Sequence, residues 1–93
     1  MLHFAWEPRK ARLNWRKHRV TFEEAVGVFS DPLSLTDRDH RHASEERFFT
    51  IGRTAQARLL VVVHTDQGEA IRIISARQAT TRERKDYEDD EIP

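Results

Sequence analysis

The spacing of hydrophobic residues predicts a first helix close to the start of the chain. Residues 9–18 carry Ala11 and Trp15 four positions apart, and charged residues fill the remaining faces. This spacing puts the two apolar side chains on one side of a helix. Pro8 lies where proline suits the first helical turn. The sequence therefore predicts a short helix that packs through one narrow apolar stripe.

A second helix is indicated more strongly by both its start and its period. Thr21 and Glu24 have the spacing of a capping box, in which the two residues bond each other's backbone. The apolar positions then repeat at helical intervals: Phe22, Ala25, Val26 and Phe29. Asp31 and Pro32 follow, and a proline disfavours helical backbone at the residue before it. We therefore predict one amphipathic helix that ends near Asp31.

The remaining apolar segments predict five strands. They cover residues 2–6, 33–36, 47–52, 58–65 and 69–76. The segment 58–65 has a continuous apolar centre, which is typical of a strand covered on both faces. We expect Gly52 to open one turn and residues 66–68 to form a hairpin turn. Residues 37–46 have no apolar period and are expected to form a polar loop.

A third helix follows the last strand. Thr80 and Glu83 form a second capping box, and Tyr87 is the one large apolar anchor of the polar segment behind it. The predicted order is β-α-α-β-β-β-β-α. This order indicates an α+β fold with the helices packed on one face of a mainly antiparallel sheet. At 93 residues, we expect a single domain over 1–93.

The net charge of zero hides an uneven distribution. Residues 86–93 form an acidic tail with five acids and no base, so residues 1–85 hold sixteen basic and eleven acidic residues, a net charge of +5. A basic body suits a polyanionic partner. Thirteen of the basic residues are arginine, whose planar fork binds phosphate in a bidentate manner. A GC-rich genome explains the same bias equally well.

Composition narrows the class of protein further. The chain has no cysteine, which excludes disulfides and thiolate metal sites. The longest apolar run, Leu59 to Val63, is too short for a bilayer span. The start of the chain lacks the basic and apolar regions of a signal peptide. We therefore expect a cytoplasmic protein without membrane contact.

Two arginines near the last strand are the first candidates for chemistry. Arg72 lies within an apolar strand, where a guanidinium is costly to bury without a partner. It either binds substrate or pairs with a carboxylate such as Glu46 or Glu69. Arg77 lies where the strand ends, next to the start of the capped helix. There it either shares a phosphate with the amides near Thr80 or is a solvated loop residue.

His18 is the second candidate, flanked by Lys17 and Arg19. A histidine titrates near neutrality and can act as an acid or a base. The two flanking cations favour its neutral form and would attract a phosphate. The alternative is that His18 only interacts with the dipole at the end of the first helix. The spacing by itself favours this second role.

A metal site is a weaker hypothesis. The ligand-type residues are Asp37, Asp39, His40, His42 and His64. They lack the paired helical spacing or the cysteines of a strong zinc motif. We therefore predict no metal and no cofactor. A basic body without core carboxylates suits cleavage of RNA by its own 2′-OH, which histidine, lysine and arginine can assist without a metal. A binding module that cleaves nothing is the alternative.

Several motifs together resemble one known family. They are Phe4-Ala-Trp-Glu-Pro8, Asn14-Trp-Arg-Lys-His18, Val20-Thr-Phe-Glu-Glu-Ala25, Val28-Phe-Ser-Asp-Pro32, Arg58-Leu-Leu-Val-Val-Val-His64 and Ile71-Arg-Ile-Ile-Ser-Ala-Arg77. The match runs over nearly the whole chain and resembles the BrnT family, toxins of type II toxin–antitoxin systems with a RelE-like ribonuclease fold. One departure is Arg19, which stands where the family commonly has glycine. A residue with a Cβ there disfavours a left-handed helix end.

The resemblance implies a function, partners and site residues. It implies an endoribonuclease that cleaves RNA and thereby inhibits translation. The implied partner is a BrnA-like antitoxin with a ribbon-helix-helix part, through which alone the complex would contact operator DNA. The residues that it favours for catalysis are Lys17, His18, Arg58, Arg72 and Arg77. Arg47 and Arg84 are added as RNA-binding residues.

Overall fold

The computed structural model describes residues 2–41 and 44–91. Its helices are α1 (Pro8–His18), α2 (Phe22–Ala25), a 3-10 helix (Val26–Ser30) and α3 (Thr81–Glu91). Its strands are β1 (His3–Ala5), β2 (Leu35–Asp39), β3 (Arg47–Arg53), β4 (Leu59–Gln67) and β5 (Ala70–Gln78). None of the helices in the described part of the chain has the length and apolar character needed to span a bilayer.

The five strands form one mixed sheet in the order β1-β5-β4-β3-β2. β1 runs parallel to β5, and the other neighbours are antiparallel. The strands from β2 to β5 follow one another as hairpins, whereas β1 reaches the far edge because α1 and α2 cross over the sheet. The predicted α+β class and the predicted order of elements are both confirmed.

The sheet buries apolar residues on both faces. Leu60 and Val62 of β4 lie on one face, here called the inner face, in a core with residues of α2 and the 3-10 helix. Leu59 and Val61 lie on the other, here called the outer face, where Tyr87 of α3 packs against them. All five of these residues are buried. Residues 58–65 were therefore correctly predicted to be covered on both faces.

The prediction that all helices lie on one face is wrong for α3. The early helices pack on the inner face, as expected, but α3 crosses to the outer face. Tyr87 anchors it there with only 1% of its surface exposed, and its hydroxyl donates to Asp31 Oδ2 at 2.6 Å. A helix with one apolar residue can cover only part of a face, and this leaves the rest of the outer face to polar side chains.

The second helix begins as predicted but changes its geometry. Glu24 N donates to Thr21 Oγ1 at 3.0 Å, which confirms the capping bond. After Ala25 the chain tightens into the 3-10 helix, where glycine and β-branched residues of low helix propensity follow. Gly52 faces this segment from inside β3, and a Cβ there would lie 2.8 Å from the Val28 carbonyl oxygen. Gly52 therefore permits close packing and does not open the predicted turn.

The edge strand β2 is longer and later than predicted. It ends at Asp39, and its last three residues pair with residues 47–49 of β3. The predicted polar loop over 37–46 therefore begins three residues later. The apolar pattern gave no sign of this because residues 36–38 are exposed. The hairpin turn of β4 and β5 also lies later, at Gly68 and Glu69, and Gly68 has a φ of 65°.

Candidate functional site

A β-bulge in the last hairpin sets which arginines share a face. The register shifts between Val63 and His64 of β4, which pair with Ser75 and Ile73, so Ile74 has no partner across the ladder. Arg72 and Arg77 are five residues apart and would point to opposite faces of a regular strand. With the extra residue between them, both lie on the outer face.

Asn14 fixes α1 against β5 beside this bulge. Its side-chain oxygen accepts from Ala76 N at 2.9 Å, and its amide nitrogen donates to the Ala76 carbonyl at 2.8 Å. The same nitrogen donates to the Val20 carbonyl at 3.0 Å. Asn14 is 5% exposed, so these bonds are buried. They hold the end of α1, which carries His18, next to the strand segment that carries Arg77.

The open part of the outer face forms a cavity of about 430 Å³. Apolar residues of β3 and β4 form its floor, and charged residues surround it. The lining residues are Lys17, His18, Asp39, Arg41, Phe49, Val61, Val63, Ser75, Arg77 and Glu83. This cavity brings together three of the predicted site residues, Lys17, His18 and Arg77.

His18 is the last residue of α1 and faces the cavity. Burial lowers its pKa below the ordinary value of 6.5, and the positive charges of Lys17 and Arg77 lower the pKa further. The ring is therefore neutral at neutral pH and able to accept a proton. The expectation that Lys17 favours the neutral form is confirmed, whereas the second cation is Arg77 rather than the expected Arg19.

Arg77 is held by Glu83 of α3. Its Nη1 and Nη2 donate to Glu83 Oε1 and Oε2 at 2.8 and 2.9 Å. The same carboxylate accepts from Thr80 N at 2.9 Å, and Thr80 Oγ1 accepts from Glu83 N at 3.2 Å, which confirms the second capping box. Arg77 and the amide of Thr80 thus share the Glu83 carboxylate, an ion pair that the sequence analysis did not predict.

These contacts fix the charge of Glu83 and leave donors on Arg77. The hydrogen bonds from Arg77 contribute most to lowering the pKa of Glu83 to about 2, so its carboxylate is ionised. Arg77 also donates to the Gln78 carbonyl through Nη1 at 3.3 Å. Its Nε hydrogen and one Nη2 hydrogen have no partner among the described residues. Those donors can bind an added anion without displacing Glu83.

Asp39 and Arg41 were not predicted as site residues but line the same cavity. Asp39 is the last residue of β2, and its side chain is only 3% exposed. Its Oδ1 and Oδ2 accept from Arg41 Nε and Nη2 at 2.8 and 2.9 Å. The sequence placed Asp39 in a loop with possible metal ligands. Its inward orientation depends on the unexpected extension of β2.

Arg72 and Arg47 lie on the outer face but outside the cavity. Arg72 Nη2 and Arg47 Nε donate to the two oxygens of Glu45, at 3.1 and 3.0 Å. Arg72 pairs across from Thr65, four residues along β4 from the partner of Arg77. An ion pair was expected for Arg72 with Glu46 or Glu69, and the structure assigns it to Glu45. Arg72 Nε is buried without a hydrogen-bond partner among the described residues.

The remaining predicted site residues lie elsewhere. Arg58 forms an ion pair with Glu24 of α2 and donates to the Arg19 carbonyl at 3.2 Å, so it joins the start of β4 to the segment between α1 and α2. Arg84 is on α3, within 3.7 Å of Glu88. The structure therefore does not bring Arg58 or Arg84 to the cavity.

Arg19 takes the backbone conformation that its side chain was expected to disfavour. Its φ and ψ are 56° and 38°, and its N–H donates to the Trp15 carbonyl at 2.9 Å. Its guanidinium lies 5.4 Å from the centre of the Trp15 ring, within the range of a cation–π contact. The expectation against a left-handed helix end is therefore wrong, and the end of α1 keeps His18 facing the cavity.

The proposed metal ligands do not come together among the described residues. Within residues 2–41 and 44–91, no three histidine, aspartate or glutamate side chains are grouped so that they could hold a metal ion. His64 is buried and bonds Thr50 and Asp66, at 2.8 and 2.9 Å. His42 lies outside the described residues.

Comparison with known proteins identifies the family. The family model described as "Ribonuclease toxin, BrnT, of type II toxin-antitoxin system" matches residues 6–83. No curated protein sequence matches the chain. The fold is similar to the crystal structure of the Brucella abortus ribonuclease toxin BrnT, with a TM-score of 0.64 and 21% identity, covering 87% of this chain and all of that chain. Because the family model spans most of its length, the chain belongs to the BrnT family of ribonuclease toxins.

Proposed function

We propose that this protein is a metal-independent endoribonuclease that cleaves RNA in the cavity on the outer face and thereby inhibits translation. One observation carries the proposal: Lys17 and His18 at the end of α1 and Arg77 of β5 line the same cavity. The histidine is neutral, and the two other residues supply positive charge. This combination offers a proton acceptor beside cations that stabilise a developing phosphorane.

The proposed reaction uses the 2′-OH of the substrate. His18 accepts the proton of the 2′-OH, whose oxygen attacks the adjacent phosphorus. The bond between phosphorus and the 5′ oxygen breaks, and that oxygen takes a proton from water. The products are a 2′,3′-cyclic phosphate and a free 5′-OH. Arg77 and Lys17 stabilise the added negative charge on the phosphate during the attack.

Arg72 and Arg47 have a supporting role in this proposal. They lie on the same face, beyond the cavity, and share the carboxylate of Glu45. Two cations that share one anion leave net positive charge, which attracts an RNA strand beyond the cleaved phosphate. Arg58 is given no catalytic role in this proposal because it does not line the cavity.

A family of type II toxin–antitoxin systems implies an antitoxin partner and an RNA target. We propose that the antitoxin is BrnA-like, with a ribbon-helix-helix part that brings the complex to operator DNA. Discovery of a short neighbouring reading frame with that pattern would support this proposal. Co-purification of the two gene products, with loss of cleavage in the complex, is the direct measurement.

The test of cleavage uses the antitoxin-free protein in EDTA. The wild type is incubated with single-stranded RNA beside Arg77→Gln and a matched surface variant, Arg82→Gln. We expect the wild type and Arg82→Gln to cleave, and Arg77→Gln to lose at least 100-fold in rate, as for loss of an oxyanion contact. Loss of wild-type cleavage in EDTA would reject metal independence. RNA binding without any product would favour a binding module.

A further inference from the structure

A buried carboxylate holds an exposed arginine at the edge of the cavity. Asp39 has a side chain that is 3% exposed, whereas the side chain of Arg41 is 74% exposed. Three donors of Arg41 reach this one carboxylate: Nε at 2.8 Å, Nη2 at 2.9 Å and the backbone N at 3.1 Å. A flexible side chain at a strand end is thereby held in one orientation.

The Asp39–Arg41 pair lines the same cavity as Arg77. Arg41 lies two residues after the end of β2, and Arg77 lies near the end of β5, so the two arginines line the cavity from different elements. Each has its own carboxylate partner, Asp39 for Arg41 and Glu83 for Arg77. The positive charge of Arg41 also opposes the rise in the pKa of Arg77.

Two arginines that repel each other across one cavity suit an anion between them. The Nη1 group of Arg41 and the Nε hydrogen of Arg77 have no hydrogen-bond partner within the described part of the chain. A polyanion supplies several phosphates at once and compensates both charges. The apolar floor between them, Phe49 and Val63, offers a surface against which a base can pack.

We propose that Arg41 binds a second backbone phosphate of the RNA strand, across the cavity from Arg77, and that Asp39 is the positioning residue for Arg41. This inference rests on the proposed function, since it concerns the substrate of the same cavity. The proposed substrate is a single RNA strand that is bound at two phosphates. The phosphate at Arg77 is cleaved, and the neighbouring phosphate is held by Arg41.

The first experiment measures binding separately from cleavage. The probe is a fluorescent 2′-O-methyl RNA oligonucleotide, which lacks the attacking 2′-OH and stays intact. Fluorescence anisotropy gives Kd between 50 and 300 mM salt for the wild type, Arg41→Gln and the control Arg38→Gln. Arg38→Gln removes the same positive charge as Arg41→Gln. Arg38 lies on the opposite face of β2, where it pairs with Glu46.

We expect Arg41→Gln to raise Kd roughly tenfold at low salt, the range of a charged hydrogen bond to phosphate. The slope of log Kd against log salt should fall by about 0.7, the value for one lost phosphate contact on a single strand. Arg38→Gln should change neither quantity beyond the error of the measurement. Equal Kd and slope for the two variants, or no binding by the wild type, would overturn the proposal.

The second experiment tests the positioning role of Asp39. Asp39→Asn makes the protein more positive by one charge, so general electrostatics predicts tighter binding of RNA. Loss of the positioning contact predicts weaker binding, with Kd close to that of Arg41→Gln. The double variant should show no further loss beyond Arg41→Gln alone. Tighter binding by a folded Asp39→Asn protein would contradict the assigned role, and thermal unfolding of each variant checks its fold.

Cleavage assays keep this inference distinct from the proposed function. With unmodified RNA, we expect Arg41→Gln to raise KM roughly tenfold and to leave kcat nearly unchanged, because it binds a phosphate that does not react. Absence of cleavage by the wild type, with the salt slope still reduced in Arg41→Gln, would reject the nuclease and keep the phosphate contact. Cleavage by both variants with the same KM would reject the phosphate contact of Arg41 and leave the proposed nuclease function in place.

Discussion

Replacement of Asn14 by alanine tests how α1 is held beside the last strand. The change removes the acceptor for the Ala76 N–H and the donor to the carbonyls of Ala76 and Val20. The site is buried, with Asn14 at 5% exposure, so water reaches these groups poorly. The perturbation therefore leaves up to three backbone groups unsatisfied.

The expected cost follows from these groups. One buried polar group without a partner costs about 1–3 kcal/mol, and carbonyls tolerate loss of a bond better than an N–H does. We therefore expect Asn14→Ala to reduce the free energy of unfolding by about 2–4 kcal/mol. For a protein of this size that is a large part of a total of about 5–15 kcal/mol.

Urea unfolding followed by tryptophan fluorescence measures this change, because Trp6 packs against the core and reports its unfolding. Arg16→Ala, an exposed position on the same helix, is the control and should stay within about 0.5 kcal/mol of the wild type. Asn14→Asp retains the acceptor for Ala76 N but places a carboxylate against the carbonyls of Ala76 and Val20. Because this charge is buried, Asn14→Asp should be at least as destabilising as Asn14→Ala at neutral pH. A loss below about 1 kcal/mol in Asn14→Ala would refute the argument.

Three further predictions concern single contacts. Tyr87→Phe removes the bond to ionised Asp31 and should cost about 1.5–3 kcal/mol in urea unfolding; a loss under 0.5 kcal/mol would contradict the anchor. Lys17→Gln should raise the pKa of His18 towards 6.5 in an NMR titration, since burial and then Lys17 lower it, and an unchanged pKa would count against this. The folded pKa of Glu83, about 2, is below the unfolded 4.5, so its stabilisation is complete above 4.5 and is lost as pH falls towards 2. Glu83→Gln should therefore flatten the fall in melting temperature over that window, and an unchanged profile would contradict it.

The sequence predicted the elements whose signals are local. The two capping boxes gave the starts of α2 and α3, and Tyr87 was identified as the anchor of α3. The continuous apolar run of β4 correctly indicated a strand covered on both faces. Each of these predictions depended on neighbouring residues and needed no knowledge of the rest of the fold.

The errors concern features that depend on distant packing. The side of the sheet on which α3 lies is decided by the contact of Tyr87 with Asp31, 56 residues away. The extension of β2 to Asp39 depends on pairing with β3, because its exposed residues carry no apolar period. Gly52 marks the close approach of another element, which a sequence cannot distinguish from a turn.

The candidate site was predicted in part for the same reason. Lys17, His18 and Arg77 were identified from charge and from the family resemblance, and the cavity contains all three. Sequence reasoning missed Asp39 and Arg41, which reach the cavity only through the longer β2. The capping box predicted the role of Glu83 at the start of α3. The bond between Glu83 and Arg77 was not predicted, because it depends on how β5 and α3 meet.

Analysis of the RNA end groups tests the central claim most directly. The antitoxin-free protein is incubated in EDTA with a single-stranded RNA and with the same RNA carrying 2′-deoxy sugars throughout. We predict fragments that end in a 2′,3′-cyclic phosphate and begin with a 5′-OH, and no cleavage of the deoxy strand. Fragments with a 3′-OH and a 5′-phosphate, or cleavage of the deoxy strand, would contradict the 2′-OH mechanism.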